Sequence, residues 1–220
     1  MLQSLKNILR RYRQQRRYGA KPRACLRQKK FYWAELSWAR LQKAVLAEAH
    51  LPQADLSYAN LYDALLYKTH LKRANLQGAY LFYADLTEAN LELADCREAN
   101  FERALLRRAS LRKANLSNAN FFCATLSHAK LRQANLSGAS FENADLRDAN
   151  MSFANLTEAY FPGARIQGVC LQGATLEGAR LEGASLRCLQ GGRPAVLPSG
   201  YICEPDPDCS EPDRYRIVPQ

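Results

Sequence analysis

The sequence predicts an all-β solenoid, and three observations carry that prediction. Apolar residues recur every five positions from Leu36 to Leu186. Alanine keeps the same phase two positions earlier. The phenylalanines at the centres of the body, Phe101, Phe121, Phe141 and Phe161, recur every twenty. A fixed short period over most of a chain marks a stack of equivalent units rather than a globule around one central core.

All 31 centres from Leu36 to Leu186 are apolar: mostly Leu, with Cys96, Met151, Ile166 and the four Phe. The alanine column runs from Ala34 to Ala184 and is broken only by Thr69 and Val169. The residue just before the centre is often Asn or Asp, as in Asn75-Leu76, Asp85-Leu86, Asn115-Leu116 and Asp145-Leu146. The unit therefore reads Ala-(Asp/Asn)-Leu-x-x. In this it resembles the pentapeptide-repeat family over roughly residues 24–188. The resemblance implies a right-handed quadrilateral β-helix with four pentapeptides per coil. The Phe spacing agrees with four sides, which put the rings in one column where they can stack offset. Three or five sides would scatter them.

The unit has a physical reading. Ala and Leu, two apart on an extended backbone, point to the same side, which is the interior. The two trailing residues make the corner. Pro162-Gly163 suits a type II turn, and Gly163, Gly168, Gly173, Gly178 and Gly183 hold the second corner position five times running. Type II turns are expected there, and less uniform turns earlier. Coils stacked about 4.8 Å apart give roughly eight coils and a rod of about 40 Å.

Residues 1–23 form a separate segment. Leu2, Leu5, Ile8, Leu9 and Tyr12 recur at helical spacing, flanked by Lys6, Arg10, Arg11, Arg13, Arg16 and Arg17. A basic amphipathic helix is expected, ended by Gly19 and Pro22. The chain has 31 basic and 21 acidic residues, a net of +10. The first thirty residues hold eleven basic residues and no acid, and the rest is close to neutral. The helix suits two roles: a cap over the open end of the shaft, or an anchor whose arginines meet an anionic membrane surface or nucleic acid. An Arg-rich start without acids also resembles an organelle transit peptide.

Sorting outward positions by twenty maps the surface. The outward residues on the side of the Phe column include Tyr62, Tyr80, Phe82, Tyr83, Phe122 and Tyr160, and the next side adds Val45, Ala47, Leu65 and Tyr67. Trp38 and Tyr58 share another column. The first three coils are thus expected to be ringed with apolar and aromatic groups. Contiguous patches of this kind mark contacts, with a partner protein, a second copy of the chain, or a terminal segment folded over them. The candidate partner-binding residues are Tyr62, Tyr67, Tyr80, Phe82, Tyr83 and Phe122, since aromatics dominate interface energetics. A further side carries Lys72, Arg73, Arg112, Lys113, Lys130 and Arg132, interrupted by Glu92. It could track phosphates, but it is read as an ordinary solvated face because the rod is nearly neutral overall.

The pattern gives little support to catalysis. His50 and His70 are stacked neighbours in the twenty-residue frame, but Asn90 follows them, and two ligands are short of what zinc takes. Serines such as Ser117 and Ser137 fall at corners without a positioned base. The glycines recur every five residues and form no phosphate loop. No enzyme activity and no cofactor are expected. Asp and Asn before the centres are read as residues that bond the backbone.

Residues 189–220 are rich in Pro, Gly and acids and lose the period. Val196-Leu197-Pro198, Tyr201-Ile202 and Tyr215-Arg216-Ile217-Val218 are expected to fold back as a cap over the last coil. Cys203 and Cys209 would pair only in an oxidising compartment. The expected setting is a reducing cytoplasm, with a membrane-peripheral one if the first segment anchors.

The reading that results is a non-catalytic protein-interaction scaffold. Family resemblance adds that many members, abundant in photosynthetic bacteria, bind proteins. Some mimic DNA through an acidic rod and protect a type II topoisomerase. This rod is near neutral, its start is basic, and its phase never slips between Leu36 and Leu186, so it departs from that pattern.

Overall fold

In the computed structural model, residues 25–184, 189, 194, 196–209 and 214–220 are described. Residues 25–184 wind into eight four-sided coils of twenty residues. The residue before each centre pairs in parallel with the residue twenty further on, from Cys25↔Val45 to Tyr160↔Arg180. We number the sides by their centres. The first carries Leu26, Leu46 and Leu66, the second Phe31, Leu51 and Leu71. The third carries Leu36, Leu56 and Leu76, and the fourth Leu41, Leu61, Leu81 and then the Phe column.

Every backbone N–H of the five-residue unit has an assigned fate. Around Leu76, the centre donates to Asp95 O (2.6 Å) and the second corner residue, Gly78, donates to Arg97 O (2.8 Å). Ala79 closes the turn onto Leu76 O (2.9 Å), and Tyr80 donates back to Ala59 O (2.9 Å). Only the first corner residue, Gln77, is left without a backbone acceptor, and Asn75 Oδ1 takes its proton at 3.1 Å. That is why Asn and Asp recur before the centre: an unpaired amide is costly, and a short side-chain oxygen two residues back reaches it. The same contact recurs at Asp55, Asn60, Asp85, Asn90, Asn100, Asn120 and Asn150. Asn135 also donates to Asn115 Oδ1 at 3.2 Å, which ties adjacent coils.

The corners differ from the expectation. Turns are not less uniform in the early coils. The second corner residue has positive φ throughout, from Gln28 (56°) through Lys113 (56°) to Gly183 (69°), and the first corner residue does not. This is the type II pattern without its usual glycine. The ladder bond of the second corner residue holds that conformation in place, and the cost of a Cβ there is about 1–2 kcal/mol. Pro52 and Pro162 sit at first corner positions, where their fixed φ fits.

The interior is as expected. The Leu and Ala columns are buried, with Leu26 and Phe31 extending them to the first coil. Each buried Leu contributes about 1.5–3 kcal/mol. Phe101, Phe121, Phe141 and Phe161 stack with centroids 4.9, 5.0 and 4.9 Å apart. Thr69, in the alanine column, is fully buried and donates its hydroxyl to Leu46 O at 2.8 Å.

Beyond the coils, β1 (Tyr201–Pro205) and β2 (Tyr215–Pro219) form an antiparallel pair. Val196 pairs in parallel with Thr175 and so continues the third side. Leu189 and Ile217 are buried in the core cluster, with Leu197, Tyr201 and Tyr215 packed against it. The tail thus folds over the last coil. Among the described residues no disulfide is formed, so Cys203 and Cys209 are not joined. The helix expected over 2–18, and Arg10, Arg11, Arg13, Arg16 and Arg17 with it, lie outside the described residues.

Candidate interaction surface

Four of the six expected contact residues form one cluster. Tyr62 and Phe82 are stacked at the corner between the fourth and first sides (5.8 Å), and Tyr83 meets Phe82 edge-on at 4.3 Å. Tyr80, on the fourth side, lies 5.9 Å from Phe82 and 6.5 Å from Tyr62. Tyr80 and Tyr83 are exposed, while Tyr62 and Phe82 are half-buried. Arg103 donates to the Tyr83 hydroxyl at 2.6 Å, holding that ring in place.

Tyr67 and Phe122 stand apart from it. Tyr67 lies at the next corner, between the first and second sides, with the Lys68 ammonium 5.0 Å from its ring centre. Its hydroxyl, and then the charge of Glu88, hold the Lys68 pKa above the ordinary value. Phe122 falls in the column of Phe82, but the intervening coil carries Glu102 there.

Two residues outside the expected set belong to the surface. Trp38 and Tyr58 occupy the corner between the third and fourth sides, so they border the same fourth side that carries Tyr80. Their rings stack at 4.6 Å, and Trp38 is 72% exposed. Sorting by columns hid this, because it does not show which two columns flank one side. Val45 and Leu65 continue the apolar area onto the first side, both half-buried. Tyr32 and Trp33, the latter 65% exposed, stand at the corner between the second and third sides, so aromatic groups occupy all four corners of the early coils, as expected. Their second side carries Lys30, His50 and His70, and their third side Glu35, Asp55 and Asn75. Between the corners, the apolar residues Tyr80, Val45 and Leu65 lie on the fourth and first sides, and the second and third sides are polar.

The rest of the described surface offers little chemistry. His50 and His70 stack at 4.3 Å, and no group of three or more metal-ligating side chains converges among the described residues. The basic side chains expected on one face lie on the second side and its corners, where Lys72 pairs with Glu92 at 3.4 Å. A cavity of about 400 Å³ lies between the last coil and the hairpin, lined by Leu181, Ala184, Tyr201 and Ile217 among others. No described helix is long and apolar enough to cross a membrane.

Comparison with solved structures gives relatives of the same build. HetL, a pentapeptide repeat protein of the cyanobacterium Nostoc sp. strain PCC 7120 involved in heterocyst differentiation regulation, is 29% identical. The match covers 78% of this chain and 89% of that one, with a TM-score of 0.50. A pentapeptide repeat protein of the Arabidopsis thaliana thylakoid lumen is 31% identical over 42% of this chain and 65% of that one (TM-score 0.41). QnrB1, a plasmid-mediated fluoroquinolone resistance protein, is 19% identical over 80% of this chain and 89% of that one (TM-score 0.38). No curated protein matches. The family model for pentapeptide repeats matches eight copies, over 34–73, 59–95, 99–138, 124–161 and 139–178. With that match over more than half its length, on coils whose four sides are built from one five-residue unit, the chain belongs to the pentapeptide-repeat family and is a right-handed quadrilateral β-helix.

Proposed function

We propose that the chain is a non-catalytic scaffold that docks a partner protein on the aromatic surface of its early coils. The observation that carries this is the continuous area from Trp38 and Tyr58 across Tyr80 to Tyr62, Phe82 and Tyr83, extended by Val45 and Leu65. Aromatic rings held rigidly on a hydrogen-bonded framework lose little freedom on binding, which favours affinity. Likeness to HetL, a protein with a regulatory role, supports the same reading. The test is affinity capture from the native cell with the whole chain and with the variant Tyr62→Ser, Phe82→Ser, Tyr83→Ser. The expected result is a partner retained by the first and lost by the second, at unchanged melting temperature. Equal retention by both rejects the assignment.

A second reading rests on the eleven basic residues among the first thirty. In it, residues 1–23 form a basic helix that attaches the rod to an anionic membrane surface or to nucleic acid, from the cytoplasmic side. Deleting residues 2–18 tests it. An anchor costs salt-sensitive sedimentation with acidic liposomes or retention on DNA, whereas a cap costs solubility and melting temperature.

A further inference from the structure

We infer that the second side of the fifth and sixth coils is a binding site for a short acidic segment of a protein partner. Between residues 104 and 141 the sequence holds six basic residues and no acid: Arg107, Arg108, Arg112, Lys113, Lys130 and Arg132. In the chain as a whole the charges beyond residue 30 nearly cancel, so composition conceals this run. The twenty-residue coil then brings all six together. Arg107 and Arg108 stand at the corner between the first and second sides, and Lys130 on the second side itself. Arg112, Lys113 and Arg132 stand at the corner between the second and third. The other three sides of these two coils carry no cation.

Five of the six are exposed and none of those five makes an ion pair among the described residues, while Arg132 reaches Ser152 Oγ at 3.2 Å and lies over the Phe153 ring. Elsewhere on the rod, neighbouring charges are matched across one coil: Lys43 with Asp63, Lys68 with Glu88, Lys72 with Glu92. Here the matching stops. Cations flank a low strip at Ser110, so an extended chain laid across the side meets guanidinium groups from both corners. Four of the six are Arg, whose planar fork takes carboxylates in a bidentate way.

The extent of the patch selects the occupant. Two coils span only about 10 Å of rod. Glu88 and Glu92 stand at the two corners of this side on the coil before it, and Asp148 stands beside Arg147 at one of them on the coil after. A duplex or a bilayer along this side would run onto those carboxylates. A run of a few Asp or Glu residues ends within the patch. This site is separate from the aromatic surface and stands whether or not that surface binds.

The experiment uses the full chain and a labelled peptide of eight glutamates, with a DNA duplex and anionic phosphatidylserine vesicles as competing probes. Two variants carry equal charge changes: Arg108→Glu, Arg112→Glu, Lys130→Glu in the patch, and Arg10→Glu, Arg11→Glu, Arg13→Glu in the first segment. The expected result is salt-sensitive peptide binding that falls at least tenfold in the patch variant and less than threefold in the other, at equal melting temperatures. Three results overturn the inference. They are no peptide binding at low salt, equal loss in both variants, and duplex or vesicles displacing the peptide through the patch at lower charge concentration. If the triple change unfolds the rod, Arg112→Gln and Lys130→Gln carry the same comparison, with a threefold loss expected.

Discussion

The indole of Trp38 lies over the ring of Tyr58, 4.6 Å away and tilted by 14°, and the next residue in that column is Gly78. A Cβ on Gly78 would stand 2.5 Å from the Tyr58 ring. The stack therefore ends where a side chain is missing, and the empty place seats the Tyr58 ring. Gly78→Ala is expected to push Tyr58 off its seat and loosen Trp38. Indole emission should change, and stability should fall by about 1–2 kcal/mol for the left-handed alanine alone. Fluorescence and denaturant melts measure both.

The Phe column makes the interior testable. Phe121 is fully buried between Phe101 and Phe141. Phe121→Ala should cost about 3–5 kcal/mol, and Phe121→Leu less, since Leu is the residue the column otherwise uses. Equal melting of the two variants would mean the ring stack adds nothing to volume.

Corner chemistry gives a sharper contrast. Glu98 is exposed, with φ at 59°. Glu98→Val should destabilise by at least about 1 kcal/mol, because a β-branched residue fits that region worst. Glu98→Gly should be neutral or better, although glycine is unfavourable in most other settings. Denaturant unfolding of the pair reads the difference directly.

The histidine stack predicts a pH effect. Burial, then the charges of His70 and Lys30, hold the His50 pKa below its ordinary value of 6.5. The folded state therefore takes up this proton less readily than the unfolded chain does. Its share of stability is present above about pH 6.5 and declines as the pH falls below it. Glu48 and Asp145, whose pKa values are also lowered, act only near and below the carboxylate range. Melting temperature should drop between pH 7 and pH 5, and His50→Asn should flatten that drop.

Cys96 should be inert. Burial, and then the charge of Asp95, push its thiol far above the usual range. A thiol reagent is expected to modify exposed Cys25 in the native protein and to reach Cys96 only on unfolding, as peptide mass mapping over time would show.

Much of this architecture was legible because its interior is repetitive. Leu and Ala in fixed phase gave the inside, and the Phe spacing gave the coil length. The early corners were misjudged because glycine was taken as the sign of positive φ. The usable sign was an absence: none of the second corner positions from Gln28 to Gly183 holds Val, Ile or Thr. The aromatic cluster was placed only in part, since Trp38 and Tyr58 flank the side of Tyr80 through the shape of the square, which a linear register does not convey. The cationic side was seen in Arg112, Lys113, Lys130 and Arg132 but read as an ordinary solvated face, as opposite charges elsewhere on the rod cancel it in the sum.

One property of the coil bears on how such a rod diversifies. Its ladder bonds and its interior depend on position within five residues, whereas its exterior depends on position within twenty. Loss or gain of a single unit leaves every Leu inside but swings everything downstream by a quarter turn. Docking geometry can thus be rewritten in one genetic step without repacking the protein, and only changes of four units preserve the original alignment of its outer features.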